Sequence, residues 1–73
     1  LHATTLPGGR VARVTVTGPY TQLPAAWAWL YGPWLAESGE EPADLPGYEV
    51  YPNGPQDTPP EGLITYLCLP LKG

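Results

Sequence analysis

Of the seven acidic residues in this chain, Glu49 is the one set inside an apolar, strand-like segment, Tyr48-Glu49-Val50-Tyr51. Strand alternation puts Glu49 and Tyr51 on one face and Tyr48 and Val50 on the other. If Tyr48 and Val50 pack on a helix, Glu49 and Tyr51 face the opposite side of the sheet. A carboxylate held there is partly desolvated, which is costly unless it meets a cation or hydrogen-bond donors. A strand glutamate that simply faces water fits the same residues, and the sequence pattern does not choose between the two.

Tyr20, Trp27, Tyr31, Trp34, Tyr51 and Tyr66 supply aromatic faces. Such faces attract cations and stack on flat molecules, at about 0.5–2 kcal/mol per cation–π contact. Trp27 and Trp34 lie on a helical stripe and are expected to give most of their surface to the core. Tyr51, on the face of Glu49, is the better ligand candidate. Trp29 is about 200° around the helix from Trp27 and off that stripe. It reads equally as an exposed interface residue or as one packed under a loop.

Other chemistry is poorly supplied. Cys68 lies between Leu67 and Leu69, where a cysteine acts as a small apolar filler. Its only potential base is His2, near the chain's first residue, so Cys–His nucleophilic catalysis is not expected. One Cys and one His write no zinc spacing and no internal disulfide. Glu37, Glu40, Glu41 and Asp44 flank a helix end and its loop and read as solvated surface, not as a metal site. No metal and no cofactor is expected.

The elements that carry these residues are delimited by proline and glycine. The eleven prolines and nine glycines cluster at Leu6-Pro7-Gly8-Gly9, Gly18-Pro19, residues 41–47 and residues 52–62, leaving apolar segments between them. Arg10 to Thr17 alternates Ala12, Val14 and Val16 with Arg13, Thr15 and Thr17, which predicts a strand. Thr21 can cap a helix beginning at Gln22, with Pro24 tolerated in its first turn. Leu23, Trp27, Leu30/Tyr31 and Trp34/Leu35 form its apolar stripe. Gly32-Pro33 is expected to kink or restart the helix before Ser38-Gly39 closes it. Tyr48 to Tyr51 and Leu63 to Leu69 read as strands, joined by a long proline-rich connection.

Seventy-three residues make one domain with a small core, and association is the reinforcement that the residues leave open. Three basic residues, Arg10, Arg13 and Lys72, stand against seven acidic ones, for a net charge of −4. That supply of cations argues against direct nucleic-acid binding and against anionic membrane surfaces. No apolar run nears the roughly 18–20 residues of a membrane span, and no signal-peptide pattern opens the chain. A reducing cytoplasm is the expected location.

Taken in order, Pro7-Gly8-Gly9, the strand into Gly18-Pro19-Tyr20, Leu23 through Trp34-Leu35, Ser38-Gly39, Tyr48-Glu49-Val50-Tyr51 and Leu69-Pro70-Leu71 resemble the GyrI-like small-molecule-binding family. That family includes gyrase inhibitory proteins and the effector-binding domains of AraC-type and MerR-type regulators. The resemblance covers nearly the whole chain and implies an α+β fold. Family members carry two strand–helix–strand–strand modules, each an antiparallel sheet with one helix on one face, and a ligand groove between them. Residues 1–73 match the second module only. Either the first module is missing, or two chains pair as a homodimer to rebuild the groove, which is the favoured reading.

The family's pocket glutamate falls on Glu49. The resemblance therefore implies a binding module for cationic or amphipathic organic compounds, with Tyr51, Tyr20, Trp27, Tyr31, Trp34 and Tyr66 as its aromatic lining. Some relatives hydrolyse cyclopropane-containing cytotoxins, and Glu49 would then be the catalytic group. The chain offers no recognisable second one, so binding without turnover is the expectation. Inhibition of gyrase through a protein contact is a third reading. Pro33 and Tyr66 depart from the family pattern, where an ordinary helix former and an acidic residue are common.

Overall fold

A computed structural model describes residues 2–8 and 10–72; Leu1, Gly9 and Gly73 lie outside the described residues. Among the described residues, four strands make one antiparallel sheet in the order β1-β2-β4-β3. They are β1 (Ala3–Thr5), β2 (Val11–Thr17), β3 (Tyr48–Val50) and β4 (Ile64–Pro70). The α+β class, with one helical layer on the antiparallel sheet, is the one the family resemblance implies. β1 was not expected: Ala3-Thr4-Thr5 is too short to show a period, and it is defined by pairing with Ala12 to Val14.

β2 and β4 form the centre, paired from Val11↔Pro70 to Thr17↔Ile64. Ala12, Val14 and Val16 stand beside Leu69, Leu67 and Thr65 on one face, and all six are buried. The helical segment covers this face with Leu23, Ala26 and Leu30. Trp27, Trp29, Trp34 and Leu35 pack at the margins of that core. Trp29 is thus a half-buried packing residue, and the buried line runs 23, 26, 30 instead of through Trp27 and Tyr31.

The helix begins differently from the expectation. Tyr20–Gln22 is a 3-10 turn, α1 runs Leu23–Trp29, and Gln22 occupies the cap position without a side-chain bond. Thr21 therefore does not cap it. Pro24 stands in the first turn, where its missing N–H costs nothing. Leu30–Trp34 is a π-helical turn enclosing Pro33, and α2 (Leu35–Ser38) resumes the helix. Pro33 can neither donate to the preceding turn nor clear its carbonyl, and the widened turn accommodates it without a break. Gly39 ends the segment at φ +74°, its N–H donating to the Leu35 carbonyl at 3.3 Å.

The long connection from β3 to β4 is stitched by Asn53. Its Oδ1 accepts from the Ile64 N–H at 2.9 Å, and its Nδ2 donates to the Gly62 carbonyl at 3.1 Å. These bonds replace a strand ladder beyond Val50 and keep the end of β3 against the start of β4. Among the described residues, no helix is long and apolar enough to cross a membrane.

Candidate functional site

β3 is an edge strand, and its register on β4 decides which way its side chains point. Tyr48 pairs with Cys68, Glu49 with Leu67 and Val50 with Tyr66. Leu67 is in the core beneath the helix, so Glu49 stands on the helix-covered face and Tyr51 follows it by alternation. The condition that Tyr48 and Val50 pack on the helix, which would have put Glu49 on the opposite face, is not met. Both are about half exposed, on the face away from it. Tyr51 and Glu49 do share a face, but it is the inner one.

Glu49 meets two donors there. Trp27 Nε1–H donates to Oε2 at 2.7 Å, from the helix, and the Tyr51 hydroxyl donates to Oε1. The Tyr51 bond, and after it the Trp27 bond, holds the carboxyl below its usual range, against the smaller opposing effect of burial. The same contact raises the Tyr51 phenol, because losing its proton would break this hydrogen bond; burial and the charge of Glu49 add to the effect. Glu49 is accordingly ionised at neutral pH. It is half-buried, so its remaining lone pairs are open to a donor from outside.

Beside the carboxylate is an open cavity of about 350 Å³ lined by Trp27, Tyr31, Gly47, Tyr48 and Glu49. The Trp27 and Tyr31 rings are stacked, with centroids 5.7 Å apart and planes inclined by 29°, since residues four apart adjoin on one helix face. Tyr51 is held on its other side by Tyr20, edge to face at 5.6 Å. Gly47 has a role that composition did not reveal. A Cβ at Gly47 would lie 2.8 Å from Trp27 Cη2 and 3.3 Å from the Cys68 carbonyl. The absent side chain is what lets the indole edge approach the backbone here while its N–H reaches Glu49.

The architecture and this cavity agree with what the scan of known families returns: a model of the GyrI-like small molecule binding domain matches residues 1–72. The chain belongs to the GyrI-like family. It is a small-molecule-binding domain by that membership.

In this GyrI-like chain, Glu49, Trp27 and Tyr31 line the cavity, while Tyr51 is bonded to Glu49 and Tyr20 packs edge-on against Tyr51. Trp34 is taken up by the margin of the core. Tyr66 does not join them: paired with Val50 and Thr15, it is on the outer face, with the Arg13 guanidinium 4.6 Å from its ring centroid. Its distance from the groove follows from parity, since it alternates with the buried Thr65 and Leu67. Cys68 is buried and His2 is exposed. Glu40 faces Arg10 at 3.7 Å and Glu41 faces Lys72 at 3.8 Å, exposed pairs of small energetic weight.

Proposed function

We propose that this domain binds flat or amphipathic organic cations in the groove between the helix and β3, with Glu49 as counter-charge. The observation that carries the reading is the pair of donors on the Glu49 carboxylate, Trp27 Nε1 and the Tyr51 hydroxyl, at the wall of the cavity. They hold the side chain as a fixed anion beside exposed aromatic faces. Stacked Trp27 and Tyr31 supply a flat surface to one side, and cation–π attraction adds to the pairing with Glu49. Neutral and anionic aromatic compounds gain the stacking without the charge.

A second copy of the module completes the groove in this reading. β3 has a free edge, and the large exposed apolar side chains Tyr31, Leu45, Tyr48, Val50 and Tyr51 belong to β3, to the segment leading into it or to the groove wall. An exposed edge rimmed by apolar groups favours association. The homodimer buries that patch and closes the open side of the cavity.

The test is titration calorimetry with N-methylacridinium, a flat cation, against acridine at high pH, its neutral counterpart. Wild type should favour the cation, and Glu49→Gln should remove most of that preference while retaining the fold. Equal binding of the cation by both proteins would overturn the carboxylate's role. Sedimentation at several concentrations tests the dimer; a monomer that binds with full affinity would remove the second copy from the proposal.

A further inference from the structure

Among the described residues, one buried polar side-chain atom of the inner face has no hydrogen-bond partner. Thr65 is completely buried, at 0% exposure, and its Oγ1 accepts and donates no hydrogen bond. A buried hydroxyl in that state costs stability, and a valine of the same shape would avoid the cost. Thr65 is not remote from the groove. It alternates with Leu67 on the helix-covered face, pairs with Val16 on one side, and Leu67 is the partner of Glu49. Continuing the β3–β4 register by one residue past Val50↔Tyr66 sets Tyr51 beside Thr65.

Tyr51 stands next to Glu49, beyond the residues that line the cavity. It follows the last ladder pair of β3, is 52% exposed, and is held by its hydroxyl on Glu49 Oε1 and by the edge contact with Tyr20. A cation seated on Glu49 competes for the oxygen that Tyr51 occupies. Once displaced, the phenol ring leaves space on the sheet face next to Thr65.

We propose that Thr65 is a concealed second contact of the ligand site, whose unpartnered hydroxyl accepts a hydrogen bond from a peripheral N–H of the ligand when Tyr51 turns away from Glu49. The proposal rests on the cation-binding reading above and narrows its ligand class: flat cations with an amine at the ring edge gain a bond that purely alkylated cations do not. The unsatisfied hydroxyl is then a stability cost retained for binding, as buried polar groups at functional sites commonly are.

The experiment compares proflavine, a flat cation with edge amines, and N-methylacridinium, which has none, on wild type, Thr65→Val, Thr65→Ser and Glu49→Gln. Thr65→Val should melt higher, on the order of 4–8 °C for a domain of this size. It should bind proflavine about 5–10-fold more weakly, the size of one neutral hydrogen bond, and N-methylacridinium unchanged. Thr65→Ser, which keeps the hydroxyl, should retain proflavine affinity. Proflavine binding unaltered in Thr65→Val, alongside weakened binding in Glu49→Gln, would remove Thr65 from the site and leave the cation reading standing. A lower melting point with loss of both probes would make the hydroxyl a structural group and overturn the proposal. Failure of wild type to bind either probe would overturn the cation reading and this inference together.

Discussion

Trp27 donates its indole N–H to Glu49 at 2.7 Å across a sequence separation of 22 residues, joining the helix to the edge strand. One bond therefore fixes both an aromatic wall of the groove and the charge beside it. The donor is on the most regular part of the helix and the acceptor on a three-residue strand, so the contact also ties β3 to the body of the domain.

Replacing Trp27 by Phe keeps a ring on the groove wall and removes the N–H. The carboxyl of Glu49 should titrate at higher pH than in wild type, read from its side-chain carbon shift. Stability should fall by about 1.5 kcal/mol, at the low end for a bond to a charged group because water still reaches the carboxylate. A Glu49 titration identical to wild type would show that the indole contact does not tune it.

Tyr51→Phe makes the complementary cut. Because the Tyr51 bond is the larger influence on Glu49, this variant should raise the carboxyl's titration point further than Trp27→Phe does. The reverse order, measured by the same carbon shifts, would assign the main restraint to the helix instead of to the strand.

The lowered Glu49 carboxyl makes stability depend on pH with a definite sign. A group whose folded pKa is depressed contributes stability that is fully present above its unfolded value, about 4.3 for Glu, and that is lost as pH falls through the folded value. Urea unfolding should therefore show a loss on acidification below about pH 4.3 that is smaller in Glu49→Gln. Binding of N-methylacridinium should persist unchanged from pH 7 to 5. Loss of binding within that interval would place the titrating group elsewhere.

Gly47→Ala tests the close approach of Trp27 to the strand. The new methyl meets the indole edge at 2.8 Å and backbone oxygen at 3.3 Å, so the ring has to shift away from Glu49. Destabilisation of about 1–3 kcal/mol is expected, the usual cost of added volume at a packed site. A changed tryptophan emission and a cation affinity as weak as that of Glu49→Gln should accompany it. Wild-type affinity in a folded Gly47→Ala would mean that the indole position is not needed.

Asn53→Ala removes two hydrogen bonds that hold the end of β3 to β4. A loss of about 1–3 kcal/mol follows from exposing a half-buried N–H and carbonyl without their partner. Faster amide exchange at Val50 and Ile64 should appear before global unfolding. Protection unchanged at both amides would show that the ladder alone secures β3.

Much of the fold was legible in the chain because period and punctuation are local properties. Val14 and Val16 alternate with Arg13 and Thr15 on β2, Pro24 and Gly39 bound the helix, and the aromatic spacing of Trp27 and Tyr31 places their rings together. Pro33 announced an interruption, and the structure absorbs it in a π-turn. The roles of Gly47, Asn53 and Thr65 carried no such signal, because each depends on a neighbour 9 or more residues away or on an empty hydrogen-bonding valence.

By itself the sequence determined that Glu49 and Tyr51 share one side of a strand, since that follows from the two-residue repeat of any extended chain. It could not determine which side. That was decided by the pairing of Glu49 with Leu67, whose own burial comes from the helix above it. A shift of one residue in this pairing would leave every local preference intact and turn the carboxylate outward, away from Trp27. Register is a long-range choice made by packing, and it is what brings the charge, its two donors and the groove to the same place.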